Sequence, residues 1–172
     1  MGYSLKQFST DCHNILAADT GPKGLEKVRV ALERALVDPE FVAENIGPDE
    51  DSPRKLLYQD PDLDFCIFAH VRGNKAVSPP HDHGRTWAIY GQVSGVTEMT
   101  LWKKLSEPKD GKPGTVEALE VYDLKPGMAR TYDVGVLHSP SRDLPTRLIR
   151  IEGRNMDHEP KRDRYVEVET AA

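Results

Sequence analysis

Three histidines of this 172-residue chain are spaced so that they would share one metal ion. His81 and His83 flank an aspartate in "PPHDHGRTWAIYGQ", directly after a double proline. Alternate side chains of an extended strand share a face, so both imidazoles would point the same way. His138 comes later in "YDVGVLHSP", three residues after a glycine that would supply a turn. Three neutral imidazoles on one ion leave open positions for a substrate, so we interpret the set as metal ligands.

The third histidine matters because an H-x-H pair alone is a weak signal that recurs by chance. In a closed antiparallel barrel, a strand that begins at His138 would lie beside the strand that carries His81 and His83. We therefore expect the three imidazoles to meet inside a barrel mouth. The remaining histidines carry no such pattern: His70 is expected in a barrel wall, and His13 and His158 are expected to be solvated.

The elements that would position these residues change character along the chain. Residues 1–47 show apolar residues at helical spacing, which predicts two or three α-helices separated at "GP" and "DP". Residues 53–169 alternate short β-rich runs with turn signals such as "KPG" and "KDG". No crossover helix fits between these runs, so the sheets should be antiparallel. The prediction is one mostly β domain over residues 1–172, a small barrel or jelly roll with the helices packed on it.

Composition excludes some classes of function. The net charge is -5 and only 7% of residues are aromatic, so no nucleic-acid partner is expected. No run approaches the roughly 20 apolar residues of a membrane helix, and the first residues lack the pattern of a signal peptide. We therefore predict a cytoplasmic protein with no membrane partner, either a monomer or a homodimer. Its two cysteines, Cys12 and Cys66, are expected to be buried thiols rather than a disulfide.

The histidine motifs resemble those of the cupin superfamily over roughly residues 50–155. The usual second motif, G-x5-P-x-G-x2-H-x3-N, is matched at Gly127, Gly135 and His138, while Asp133 and Arg142 replace its proline and asparagine. The usual first motif places a glutamate after H-x-H, and here that glutamate is absent. The resemblance implies a cupin-type double-stranded β-helix, an antiparallel jelly-roll barrel.

A three-histidine set without the glutamate resembles the cysteine dioxygenase-like, or thiol dioxygenase, branch. That resemblance implies an oxidoreductase with Fe(II), which adds both atoms of O2 to a small thiol carboxylate of the 3-mercaptopropionate, mercaptosuccinate or cysteine type. It also implies roles for individual residues. Arg54 would hold the substrate carboxylate, and Tyr90, Gln92 and Trp87 would line the pocket.

This sequence also departs from the branch. Ala88 stands where mammalian-type enzymes have a cross-linked cysteine, and Arg150 and Glu152 align near the late histidine and tyrosine of the family. An arginine that faces the barrel, Arg150 or Arg85, would suit a second carboxylate, or it would form an ion pair with Glu152. The alternatives are a three-histidine cupin with Zn, Ni or Mn that catalyses isomerisation or carbon–carbon cleavage, and a non-catalytic protein that binds small acids.

Overall fold

A computed structural model of the chain describes residues 2–158 and 162–168. Three helices precede ten strands, and a single 3-10 turn (Met156–His158) lies before the last strand. The elements are α1 (Leu5–Ala18), α2 (Pro22–Leu36), α3 (Pro39–Ile46), β1 (Lys55–Gln59), β2 (Cys66–Arg72), β3 (Ala76–Val77), β4 (Ala88–Ser94), β5 (Thr97–Ser106), β6 (Gly114–Leu124), β7 (Ala129–Tyr132), β8 (His138–Arg142), β9 (Thr146–Glu152) and β10 (Tyr165–Glu167).

Local sequence explains where the helices begin. Ser4 starts α1 with a capping box in which its side chain accepts from the amide of Gln7, and Gln7 accepts from the amide of Ser4. Proline occupies the first turn of both α2 and α3, where its missing N–H costs nothing. The Asp38 carboxylate caps α3 by accepting from the amides of Glu40 and Phe41. All three predicted helices are therefore present.

The strands form two five-stranded sheets with the strand orders β1-β2-β9-β4-β7 and β10-β6-β5-β8-β3. Apart from the flanking β1 and β10, each sheet interleaves strands that are distant in sequence, which is the arrangement of an eight-stranded jelly roll. The predicted fold class is confirmed: a mostly β, cupin-type barrel follows N-terminal helices. One pairing differs from the expectation of purely antiparallel sheets, because β10 runs parallel to β6.

The helices cover the outer face of the first sheet. Leu25, Val28 and Leu32 of α2 join one buried apolar cluster with strand residues such as Ile89 and Ile149. Helix α2 approaches β4 closely at Gly91, where a Cβ atom would lie 2.7 Å from a methyl carbon of Leu36 and 2.8 Å from one of Leu32. The absence of a side chain at this glycine lets the helix pack directly on the sheet.

Both cysteines are buried and free, as expected for reduced thiols. In the described part of the chain, none of the helices has the length and apolar character required to cross a membrane.

Candidate metal centre and its cavity

His81 and His138 are joined through their main chains. The amide of His81 donates to the carbonyl of His138 at 3.0 Å, and the amide of His138 donates to the carbonyl of His81 at 2.9 Å. The prediction that the two histidine motifs lie side by side is thus confirmed. The expected strand through His83 is wrong, because the chain leaves the bridge after His81 and enters a turn at Gly84, whose φ is 62°. The ligand atoms of His81, His83 and His138 nevertheless lie within 4.8 Å of one another.

Backbone carbonyls fix the orientation of two of these rings. Nδ1 of His81 lies 2.9 Å from the carbonyl oxygen of Pro79, and Nδ1 of His138 lies 3.1 Å from that of Val136. A carbonyl only accepts hydrogen bonds, so both Nδ1 atoms carry the proton and both Nε2 atoms carry a lone pair. The ring of Tyr132 stacks on His138, with centroids 4.0 Å apart, and further restricts that imidazole.

The remaining distances suit one metal ion. Nε2 of His83 lies 3.2 Å from Nε2 of His138. Two nitrogens that bind one ion at about 2.1 Å are themselves about 3 Å apart. Nδ1 of His83 is buried without a hydrogen-bond partner among the described residues.

Burial keeps the three imidazoles in the form that binds metals. It lowers the pKa of His81 to about 4 and that of His138 to about 3, and it lowers the pKa of His83 further. The positive charge of Arg150 lowers all three pKa values as well. At neutral pH the rings are uncharged and can donate lone pairs to a cation. The donor set therefore fits a metal ion, and imidazole nitrogens suit Fe, Zn or Ni alike.

Tyr90 links this centre to a charged wall. Its hydroxyl lies 3.1 Å from Nε2 of His83 and 3.4 Å from Nε2 of His138. Burial raises the pKa of Tyr90, so the phenol is neutral and can donate a hydrogen bond. The guanidinium of Arg150 lies 4.3 Å above the centre of the Tyr90 ring, in cation–π contact. Arg150 is thus separated from the histidines by a single aromatic side chain.

Arg54 and Arg150 converge on one buried carboxylate. Arg54 donates two hydrogen bonds to Glu152, at 3.0 and 2.9 Å, and Arg150 donates one at 3.1 Å. The Glu152 side chain is fully buried. Burial opposes its charged form, but hydrogen bonds from Arg54 and the charge of Arg150 hold the pKa of Glu152 below its usual value. Arg54 also pairs with Asp157 at 3.1 Å through Nε, so acids of the chain itself occupy N–H groups on two edges of its guanidinium.

Gln92 lies in the cavity wall with both ends of its amide engaged. Its nitrogen donates to the carbonyl of Ser94 at 2.9 Å, and its oxygen accepts from the hydroxyl of Thr97 at 3.1 Å. Two other residues with predicted roles lie elsewhere. Trp87 packs against the apolar cluster under the helices, and Arg85 is exposed and does not line the cavity. Arg150 and Arg85 are the two candidates for an arginine that faces the barrel, and Arg150 is the one that lines the cavity.

A cavity of about 1030 Å³ lies beside this centre, and it is bordered by His81, His83, Tyr90, Gln92, Arg54, Arg150 and Glu152. Its lining contains six arginines and three acids, namely Arg54, Arg72, Arg142, Arg150, Arg162, Arg164, Glu152, Asp157 and Asp163. The cavity is therefore rich in positive charge, which suits an anionic ligand.

Several cavity residues were not assigned to the site from the sequence, among them His70, Arg72 and Arg142. His70 was expected in a barrel wall and does lie there, with its side chain directed inward. Alternation along β2 would have revealed His70 and Arg72, since Phe68, His70 and Arg72 occupy one face of the strand and apolar residues the other. His13, expected in solvent, instead pairs with the buried Asp60 at 2.8 Å.

No protein-family model matches the chain, and no curated protein matches it in sequence. Solved structures do resemble it. KdgF from Halomonas sp. is 22% identical, with a TM-score of 0.46 over 64% of this chain and 89% of that one. A cupin-2 domain containing protein from Shewanella frigidimarina is 13% identical, with a TM-score of 0.43 over 66% of this chain and 84% of that one.

The cupin_2 domain of an XRE family transcriptional regulator from Enterobacter cloacae is 20% identical, with a TM-score of 0.40 over 63% of this chain and 96% of that one. The assignment of this chain to a cupin-type barrel rests on its own strand order, and its candidate centre rests on the three converging imidazoles.

Proposed function

We propose that the chain is a mononuclear iron thiol dioxygenase that converts a small thiol carboxylate to a sulfinate. The observation that carries the proposal is the convergence of three neutral imidazoles beside a cavity lined by six arginines. His81, His83 and His138 would hold the ion. An Fe(II) ion bound there would lower the pKa of a substrate thiol and provide a site for O2.

The reaction balances without a further reductant. One thiol and one O2 give one sulfinic acid: the S–H and O–O bonds break, two S–O bonds and one O–H bond form, sulfur is oxidised and O2 is reduced. The protein's own part is to hold the thiol carboxylate in one orientation and to keep bulk water away from the reacting atoms. The sulfinic acid then loses its proton at neutral pH.

Arg150 is the side chain best placed to orient the substrate carboxylate. Its guanidinium contacts Tyr90 and donates one hydrogen bond to Glu152. Its Nε atom is buried and has no hydrogen-bond partner among the described residues. A carboxylate would therefore gain a charge-assisted hydrogen bond to Arg150. Arg54, which the resemblance assigns to this task, is held by Glu152 and Asp157. We assign it the role of positioning Glu152 and, through it, Arg150.

Tyr90 would supply a hydrogen bond at the reacting end. Its neutral hydroxyl reaches the Nε2 atoms of His83 and His138, which are the atoms that would face the ion. The same hydroxyl can rotate to donate to a substrate or oxygen atom bound beside them.

Oxygen uptake tests the proposal directly. Protein loaded anaerobically with Fe(II) would be mixed with cysteine, 3-mercaptopropionate, mercaptosuccinate and cysteamine, and O2 consumption and sulfinate would be measured together. We expect uptake with at least one thiol acid and little with cysteamine, which has no carboxylate. Arg150→Gln should raise KM for the acid more than Arg85→Gln, the matched control outside the cavity. Iron-bearing protein that consumes no O2 with any thiol contradicts the proposal.

A second function has one observation in its favour. A cavity of about 1030 Å³ is large for a thiol acid of a few atoms, since drug-sized ligands fill about 300–1,000 Å³. The same centre with Zn, Ni or Mn would then isomerise or cleave a larger acid, or the cavity would bind that acid without turnover. Metal-dependent consumption of an acid with no O2 uptake would favour this function over thiol oxidation.

A further inference from the structure

We propose that Arg72 and Arg142 form a second oxyanion subsite in the cavity, which receives an acidic group of the ligand other than the one held near Arg150. The inference deepens the proposed function, because it specifies the substrate as a small thiol with two acidic groups. It rests on that function only for the thiol group of the substrate. The subsite itself is a property of the barrel and requires no metal for its test.

The fold brings the two arginines to one cavity from different sheets. Arg72 is the last residue of β2 in the first sheet, and Arg142 is the last residue of β8 in the second. Both line the cavity, as do His70 on β2 and Pro140 on β8, each two positions earlier on the same strand face. Arg142 lies four residues beyond His138 on β8, or about 13 Å along the strand. The subsite is therefore displaced from the histidines along the barrel.

Neither arginine has a counter-ion among the described residues. Arg54 and Arg150 share Glu152, but no carboxylate lies within 4 Å of Arg72 or Arg142 in the described ranges. One Nη atom of Arg72 lies 3.2 Å from Nδ1 of His70, but that nitrogen donates to the carbonyl of Pro53 at 3.0 Å and therefore has no lone pair to offer Arg72. Nε of Arg142 is buried and has no hydrogen-bond partner within residues 2–158 and 162–168.

Both arginines are part-buried, so water still reaches them, and two like charges without a counter-ion in one cavity wall attract an anionic ligand. Burial lowers the pKa of both arginines, and the charges of Arg150, Arg142 and Arg54 lower the pKa of Arg72 as well. Arginine nevertheless keeps its proton in proteins, so these are permanent cations that face an interior space. Only an anion from outside the described chain would remove the repulsion.

The chemistry of the guanidinium defines the ligand. Its planar fork of N–H donors pairs with carboxylate and phosphate oxygens alike. A second carboxylate and a phosphate group are therefore the two sources of the oxyanion, and simple probes separate them. Succinate carries two carboxylates, propionate carries one, and inorganic phosphate carries none but is an oxyanion.

Isothermal titration of the purified chain with these three probes tests the subsite. We expect succinate to bind about tenfold or more tightly than propionate, the gain of one charge-assisted pair. Arg142→Gln and Arg72→Gln should each remove most of that advantage and leave propionate affinity nearly unchanged. Arg130→Gln is the control, because Arg130 pairs with Glu120 on the exposed outside of the barrel. Thermal melting verifies that each variant is folded, and two separate arginines keep the test valid if one variant does not fold.

The outcomes are distinct. Equal affinities of the natural chain for succinate and propionate, with no phosphate binding that depends on Arg142, overturn the subsite. Phosphate binding that depends on Arg142 without a succinate advantage supports an oxyanion subsite and overturns the second carboxylate. If succinate binds as expected but iron-loaded protein oxidises no thiol, the subsite stands and the proposed function fails. If 3-mercaptopropionate is oxidised, but succinate shows no advantage and phosphate does not bind through Arg142, the function stands and the subsite fails.

Discussion

The two faces of the first sheet use the same strands for different purposes. Toward the helices, β2, β4 and β9 present apolar side chains that are almost completely buried, such as Ile67, Ile89, Ile149 and Ile151. Toward the barrel interior, the neighbouring positions carry charged and polar groups, namely His70, Arg72, Tyr90, Arg150 and Glu152. Because successive side chains of a strand point to opposite faces, the apolar residues that support the fold alternate with the polar residues that line the cavity. Substitutions on the two faces should have different consequences.

The largest difference should be in metal binding. His138→Ala removes a ligand from the inner side of the barrel, and the loss should exceed the about 10–100-fold that changes around a metal site typically cause. Metal content after anaerobic loading measures the effect, with His70→Gln as the matched control, since His70 lies on the inner face without belonging to the ligand set. If the Ala variants of all three ligands kept full metal occupancy, the assignment of these histidines as the metal site would be contradicted.

On the outer face the expected loss is in stability. Ile149→Ala leaves a cavity beneath the helices and should lower the free energy of unfolding by about 2–5 kcal/mol, with metal content unchanged. Chemical denaturation measures this change in the free energy of unfolding. The same deletion at Val77, which is 71% exposed, should have almost no effect. If Ile149→Ala abolished metal binding in protein that is still folded, the two faces would not be independent.

Glu152→Gln tests whether the inner face also contributes to stability. The amide keeps the shape but removes the charge that two part-buried guanidiniums share, so unfolding free energy should fall by about 3 kcal/mol. Activity on a thiol acid should fall too, because Arg150 would lose its orienting partner. The comparison pair is Glu120→Gln, which breaks only an exposed ion pair and should cost about 1 kcal/mol or less. Equal losses for both variants would show that Glu152 contributes no more than a surface carboxylate.

An effect that is smaller within any one pH unit should appear as a pH dependence of stability through His70. Burial and the charges of Arg150, Arg72 and Arg54 lower the pKa of His70 to about 2. The unfolded chain binds a proton near pH 6.5 and the folded chain does not, so stability is complete above pH 6.5 and declines as pH falls toward 2. The contribution of this residue approaches about 1.4 kcal/mol per pH unit. His70→Gln should flatten the acid side of the stability curve, and an unchanged slope would contradict the assignment.

Local sequence predicted most of the framework, because turns, caps and alternation are encoded within a few residues. Strand β1 begins and ends where "KLLYQ" predicts, and the pairing of His81 with His138 follows from the barrel that the motifs imply. The interior polar network could not be predicted in the same way. Whether Arg54 pairs with Glu152, 98 positions away, depends on the register of strands and the directions of long side chains. The parallel pairing of β10 with β6 likewise has no local signal.

The placement of β10 has a consequence for the order in which the cavity wall is assembled during synthesis and folding. Residues 162–166 line the cavity, and Arg162 donates a hydrogen bond to the carbonyl of Asp82, between two of the candidate ligands, at 3.0 Å. This segment leaves the ribosome after every other residue of the cavity wall. A nascent chain that already holds all three histidines thus still has an open flank. An ion would therefore reach its final surroundings only after this last wall has docked.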